Sequence, residues 1–484
     1  HLGKVFDKIY IFDLGGNSRK SDDDLGNVFG IRVGVAITIL VKTAREKSAP
    51  AEIYYARIAK NLTKLQKLLF LEQTQHIFNL DLQRIVPDDK FNWITENLHA
   101  DFETFPPIGS KIGKATENQA TGVIFKIYGR GVATSRDAWA YNFKREELAK
   151  NMRLTIESYN EHVFRYSRLT EKPKIDDFVT YDDKKLSWSR NLKRHLDSHR
   201  YTEFSEEKIR MSLYRPFVKM YLFFDRVMNN DVYPFTHIFP TPATEKENKI
   251  ILLKVGMEIP LFALCTNVLT DLLPQSGSQV FPFYTYSEDG HQRQENITDW
   301  ALTEYRTHYQ DDSITKWDIF YYVYGLLHHT GYLEKYAANL KRELPHLPFA
   351  SDFWAISLAG KQLAELHLSY ETQKEYPLKF EFSDTFDWRV EKMRFNQQKT
   401  ALKYNDSLTL QNIPPEVFEY RLGNRSALEW VVDQYQVSVD KRSGIINDPN
   451  DFNDERYIVE LVGKIITVSL ATVEIIKKIS VVAV

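Results

Sequence analysis

The stretch FDKIYIFDLGGNSRKSDDDLGNVFGIRVGVAITILVKT, residues 6–43, places two apolar, β-branched runs on either side of a polar, glycine-bearing loop. Ile9-Tyr10-Ile11-Phe12-Asp13-Leu14 reads as a buried strand that stops at Gly15-Gly16. Gly34-Val35-Ala36-Ile37-Thr38-Ile39-Leu40-Val41 reads as a second, and Ile53-Tyr54-Tyr55-Ala56-Arg57-Ile58 as a third. Leu62, Leu65, Leu68 and Leu69 recur at helical spacing, so 61–100 is expected to be helical. Pro106-Pro107-Ile108-Gly109 interrupts the chain, and Val123-Ile124-Phe125-Lys126-Ile127-Tyr128 is the first of several expected aromatic strands beyond it. From Lys316 to Leu344 the period is helical again, with breaks expected at Gly331 and Pro345. The pattern is α/β throughout, with a boundary between about 105 and 120.

Composition narrows the function classes. The 484 residues suffice for two to four domains, and 43% hydrophobic with 26% charged residues is an ordinary globular balance. The 63 basic and 65 acidic side chains nearly cancel, so any nucleic-acid surface has to be local. One cysteine, Cys265, excludes an internal disulfide and fits a reducing cytoplasm. The apolar run from Ile250 to Leu273 is broken by Lys254, Glu258, Pro260 and Asp271, which excludes a membrane span, and no membrane partner is expected. The first residue is His, and the chain reads as a piece of a longer polypeptide.

Apparent catalytic motifs fail in detail. GSKIGKAT (Gly109 to Thr116) is one residue short of a phosphate-binding loop and has Ala115 where a magnesium-binding hydroxyl belongs. PDDK (Pro87 to Lys90) lacks the second acidic-x-Lys group of a metal nuclease and reads as a solvated turn. His328-His329 have no carboxylate or thiol at ligand spacing, so no metal site is expected. Gly129-Arg130-Gly131 has no third glycine in step and is no dinucleotide fingerprint.

Other stretches have the chemistry of DNA contact. SLYRPFVKMYLFFDRVMNND (212–231), RGVATSRDAWAYNF (130–143) and LPQSGSQVFPFYTY (273–286) interleave aromatics with Arg, Asn, Gln and Ser. Arg, Asn and Gln pair bidentately with base edges, while Ser and backbone amides hold phosphates. The candidate contacts are Arg136, Arg215, Lys219, Arg226, Asn229, Asn230, Ser276, Ser278 and Gln279. For each, a solvated loop position or a structural role is the alternative.

WDIFYYVYGLLHHTGYLEKYAANLKRELPHLPF (317–349), GKQLAELHLSYE (360–371) and ALEWVVDQYQVSVDKRSGIINDPN (427–450), with SLYRPF and RGVATSRDAW, resemble the carboxy-terminal specificity region of type ISP restriction–modification enzymes. That resemblance implies the terminal strands of a Rossmann-like adenine methyltransferase sheet in 1–105, followed by a mixed α/β target-recognition domain with helical elements in 106–484. It implies double-stranded DNA as partner, together with upstream methyltransferase, translocase and nuclease domains of the same polypeptide. The parent would use S-adenosylmethionine, ATP and magnesium, but no cofactor is expected in this chain. It lacks the family's Asn-Pro-Pro-Tyr loop: Phe105-Pro106-Pro107-Ile108 and Ile413-Pro414-Pro415-Glu416 have no Asn to hold the target amine. The chain alone is therefore expected to be catalytically inactive.

In related methyltransferases an aromatic residue stacks on the extruded adenine. Phe29, in Asn27-Val28-Phe29-Gly30, matches that position, and the alternative is a buried hydrophobe. Asn17-Ser18-Arg19-Lys20 would contact phosphate beside the extruded base, or form an ordinary turn. The recognisable motifs themselves would serve as scaffold, because loops that choose a target differ between relatives. A competing assignment makes the aromatic helices a docking surface for the translocase or nuclease. The Tyr321-Tyr322-Val323-Tyr324 helix and the apolar helix around Ile465 to Ile479 otherwise read as core or inter-domain packing.

Overall fold

The computed structural model describes residues 1–484 except 17–25, 32, 44–48, 60, 89–91, 95–97, 111–121, 257–259, 274–276, 386 and 452. It is a mixed α/β structure with two compact units, His1–His99 and Ala100–Gly256 with Pro260–Val484.

The first unit contains β1 (Lys8–Gly15), β2 (Val35–Val41), β3 (Glu52–Arg57), the helix α1 (Lys64–Thr74) and β4 (Gln83–Ile85). The sheet order is β2-β1-β3-β4, with β1 antiparallel to β2 and parallel to β3. Asp13 lies near the end of β1, where the register to β2 slips: its carboxylate accepts from the Gly15 amide at 2.8 Å and from the Tyr55 hydroxyl at 2.9 Å. Thr63 and Gln66 form a reciprocal capping box that starts α1. The helix closes at Thr74, shorter than the expected 61–100, because Gln75 takes a positive φ of 52° and leaves the helical path. The core is small, built on Phe12, Leu14, Val28, Ala56 and Ile58. Ile37, Ile39 and Leu40 on β2 and Leu65, Leu68, Leu69 and Phe70 on α1 are exposed, whereas Lys67 is buried and donates to the Gly26 carbonyl at 3.0 Å. The helix thus turns much of its apolar surface outward.

The second unit contains, in chain order, β5 (Gly129–Arg130), β6 (Tyr141–Asn142), α2 (Arg145–Ser167), α3 (Arg190–Asp197), β7 (Ile209–Arg215), β8 (Val218–Phe223), β9 (Ile250–Lys254), β10 (Phe262–Thr266), β11 (Leu269–Thr270), β12 (Ser278–Pro282), α4 (Lys316–Leu326), α5 (Phe353–Leu368) and α6 (Tyr457–Ile479). Shorter pieces are named by range. The sheet β10-β9-β12-β5 divides two hydrophobic clusters. Ile250, Leu252, Leu264 and Val280 belong to one, and Ile251, Leu253, Cys265 and Phe281 to the other. Burial on both faces is why the sequence there reads as a continuous apolar run rather than an alternating one. A second sheet, β11-β7-β8-β6, and α6 fill the first cluster; α4 and α5 fill the second. A third cluster joins α2 to α3 through Leu148, Met152, Leu192 and Leu196.

The helices α4 and α5 cross at two glycines. A Cβ on Gly360 would lie 1.8 Å from the Tyr321 carbonyl oxygen, and one on Gly325 would lie 2.4 Å from that of Ile356. Tyr322, Val323 and Tyr324 are fully buried and Tyr321 is nearly so, so the aromatic helix is core and offers no docking surface. The apolar carboxy-terminal helix is core as well. Two expectations are corrected. Val123–Tyr128 forms no strand: Phe125 makes a single bridge to Ile297, and the segment is apolar because it is buried in irregular backbone. The break in 316–344 falls at His328-His329, not Gly331, which lies inside the helix Thr330–Lys335.

Candidate nucleic-acid interface

Five of the expected DNA contacts, Arg136, Asn229, Asn230, Arg215 and Ser278, belong to two buried polar networks. The first centres on Arg136, whose side chain is held among α3, the end of β8 and its own loop. Its guanidinium donates to the Ser187 carbonyl (3.2 Å), the Ser189 hydroxyl (2.8 Å) and the Met228 carbonyl. Burial pushes its pKa down to about 10. Ser189 is also the N-cap of α3, accepting from the Leu192 amide, so Arg136 fixes where that helix begins. Asn229 is buried and donates to the carbonyls of Phe223 (2.8 Å) and Asp225 (3.0 Å). Asn230 is half-buried, and its carbonyl accepts from Asn191 of α3 at 3.0 Å. These residues secure one corner of the fold.

Asp271 centres the second network. Arg215 donates to its carboxylate at 2.7 Å and lays its guanidinium 3.7 Å from the Tyr214 ring centre. The Leu273 amide donates to the same carboxylate at 2.7 Å, and the Ser278 hydroxyl to the Asp271 carbonyl at 3.1 Å. Burial raises the Asp271 pKa to about 6, with Arg215 pulling the other way. Ser278 is fully buried. Lys219 pairs with Glu371 beside the Tyr370 ring, and the exposed Arg226 pairs with Glu288 at 2.5 Å.

Arg136, Arg215, Lys219, Asn229 and Ser278, expected as DNA contacts, are each engaged by the protein itself. Their donor groups have protein partners, and withdrawing the partner of a buried donor costs free energy; the buried Asn229 Oδ1 alone of these has no hydrogen-bond partner among the described residues. Gln279 differs. It is half-buried on β12, and its amide oxygen is enclosed without a hydrogen-bond partner among the described residues. Ser276 and Asn17, Ser18, Arg19 and Lys20 lie outside the described residues, as does most of the Gly109–Thr116 motif. Phe29 is 70% exposed, so it is no buried hydrophobe. Its amide donates to the Asn27 carboxamide at 2.8 Å, while Asn27, itself buried, reaches the Gly16 and Val33 carbonyls.

Arg130, on β5, is an exposed basic residue outside the candidate contacts. So are Arg190 and Arg194, four apart on the outer face of α3 with Leu192 and Leu196 buried beneath. The signal for the α3 pair was its helical spacing. His328 and His329 are structural: His328 meets the Tyr324 carbonyl at 2.8 Å, and His329 caps the helix Thr330–Lys335 by accepting from Tyr332. Among the described residues no group of His, Cys, Asp and Glu is placed to hold a metal ion, and no helix is long and apolar enough to cross a membrane.

Residues 123–461 match the Type ISP C-terminal specificity domain family. A nuclease-deletion mutant of the type ISP restriction–modification enzyme LlaGI, in complex with a DNA substrate mimic, is 33% identical over 100% of this chain and 37% of its own, with a TM-score of 0.86. The ATP-dependent type ISP enzyme LlaBIII, bound to DNA, is 29% identical over 99% of this chain and 31% of its own, with a TM-score of 0.87. The DrdV–DNA complex is 32% identical over 99% and 48%, with a TM-score of 0.85. No curated protein matches the chain. The chain spans about a third to a half of these solved chains. With the family match extending across most of its length and the whole fold shared, the chain belongs to the type ISP C-terminal specificity domain family.

Proposed function

We propose that this chain recognises a duplex DNA sequence on behalf of a type ISP restriction–modification enzyme, and that its first unit supplies one wall of an adenine methylation pocket. The match of residues 123–461 to the specificity domain carries the reading. DNA in the related LlaGI, LlaBIII and DrdV structures supports it. Phe29 suits the wall because its ring is exposed while Asn27 fixes the backbone beneath it. Stacking an extruded base needs an open aromatic face on a held support. The outward apolar surface of β2 and α1 suits packing against further methyltransferase structure in the same polypeptide. Methyl transfer, ATP-driven translocation and cleavage, with their S-adenosylmethionine, ATP and magnesium, are assigned to those other domains.

The test is selection by the purified chain from a randomised duplex library. Enrichment of one consensus is expected. Binding that enriches no sequence at physiological salt would leave only a sequence-independent module.

A further inference from the structure

Arg130 is an exposed arginine between two glycines that packing makes obligatory. A Cβ on Gly129 would fall 2.4 Å from Pro234 Cδ, and one on Gly131 would fall 2.2 Å from the Asp271 carbonyl oxygen. The backbone on both sides is pressed against fixed neighbours, so the guanidinium extends from a rigid root. Its strand, β5, is the edge of a sheet otherwise buried on both faces. Among the described residues no hydrogen bond or ion pair engages the guanidinium, in contrast to Arg136 and Arg215.

Directly across the antiparallel ladder stands Gln279. Opposed residues of such a pair carry their side chains on one face, about 5 Å apart. One step inward, Tyr128 and Phe281 stack with ring centres 5.2 Å apart, which closes the sheet beneath the polar pair. The Arg130 guanidinium lies 3.6 Å from the position a Cβ on Gly277 would occupy, and Gly277 has a φ of 75°. A side chain there would strain the backbone and crowd the arginine. The result is a guanidinium fork without a partner among the described residues, beside a carboxamide whose enclosed oxygen also has none there.

Resting on the DNA-reading function proposed above, we propose that Arg130 and Gln279 form a specificity-determining pair that reads two adjacent base pairs in the major groove. Arg130 forks to O6 and N7 of a guanine. Gln279, whose amide oxygen is enclosed in the free chain, rotates its carboxamide outward to the neighbouring pair, where an adenine presents the matching N6 and N7. Cross-strand neighbours stand about 5 Å apart, near enough to a base step of about 3.4 Å for two flexible side chains to meet successive base pairs.

The experiment measures affinity of the wild-type chain, Arg130→Ala, Arg130→Lys and Gln279→Ala for the wild-type consensus duplex and for duplexes changed at one base pair at a time. Arg130→Ala should lose roughly 5- to 150-fold of discrimination at one G·C pair and none elsewhere. Arg130→Lys should fail to restore it, because an ammonium cannot make the fork. Gln279→Ala should lose discrimination at the adjacent pair. A uniform fall on every duplex, with the log–log salt slope smaller by about one, would make Arg130 a phosphate contact and overturn the proposal. Unchanged discrimination in Arg130→Ala would overturn it too. Thermal melting accompanies each variant; if Gln279→Ala unfolds, the two Arg130 variants still decide. A wild-type chain that selects no sequence refutes the DNA-reading function and this pair with it, whereas a wild-type consensus indifferent to Arg130 refutes the pair alone.

Discussion

Arg215 donates to the Asp271 carboxylate at 2.7 Å with both side chains nearly excluded from solvent, at 12% and 7% exposure. An arginine so placed is bound to the protein rather than available to a phosphate. Arg215→Ala would strand a buried carboxylate, and removing one partner of a buried pair costs about 3–5 kcal/mol. Urea denaturation should show that loss, while the salt slope of DNA binding by the folded variant stays unchanged. A slope smaller by about one would place Arg215 on the DNA instead.

The same carboxylate and His328 give opposite pH dependences. Asp271 is raised to about 6 by burial, so between roughly pH 4 and 6 the folded state holds more protons than the unfolded one. Its contribution to stability falls as pH rises through that window. His328 is pushed down to about 4 by burial and stays neutral when the unfolded chain takes up a proton, so its contribution falls as pH drops from about 6.5 to 4. Each is worth at most roughly 3 kcal/mol by the shift. Comparing wild type with Asp271→Asn across pH 4–7 should isolate the first: the variant's stability relative to wild type should rise with pH and level off above about 7. A flat difference would refute the burial-driven shift.

Gly325 and Gly360 set how closely α4 and α5 approach. Gly360→Ala would drive a methyl group to 1.8 Å from the Tyr321 carbonyl oxygen, a backbone atom that cannot rotate away. Separating the helices should cost roughly 3 kcal/mol, read as a lower denaturation midpoint. Ala at the unencumbered Gly3 should leave it unchanged.

Periodicity made β1, β3 and the helices α4 and α6 legible, because each buries a face or a whole surface that shows in the spacing of apolar residues. By contrast, β2 was legible from its β-branched composition, although its side chains are largely exposed. Val123–Tyr128 misled because burial in irregular backbone leaves the same apolar signature as a strand. The site was harder for a different reason. Whether an arginine is free depends on partners distant in sequence: Met228 lies 92 residues from Arg136, and Asp271 lies 56 from Arg215. No local pattern records such pairings. Residue type identified a chemistry suited to DNA, and tertiary structure then showed protein partners for several of its members and an exposed Arg130.

Phe29 is the position where folding, recognition and chemistry are separable by one substitution. Its ring is exposed and its backbone is held through Asn27, so truncation removes aromatic surface without opening a core. Phe29→Ala should therefore leave the thermal midpoint of the chain unchanged. If the ring stacks on an extruded adenine, its loss removes about 1–3 kcal/mol of base–aromatic stacking. In a complete type ISP polypeptide carrying the variant, methyl transfer should slow on the order of tenfold to a hundredfold. Affinity for the target duplex should change little, because discrimination is assigned to the second unit. A fluorescent adenine analogue at the methylated position would report extrusion directly, and its signal should fall with the rate. Methylation at the wild-type rate would remove Phe29 from the pocket, and a parallel loss of duplex affinity would place it in recognition instead.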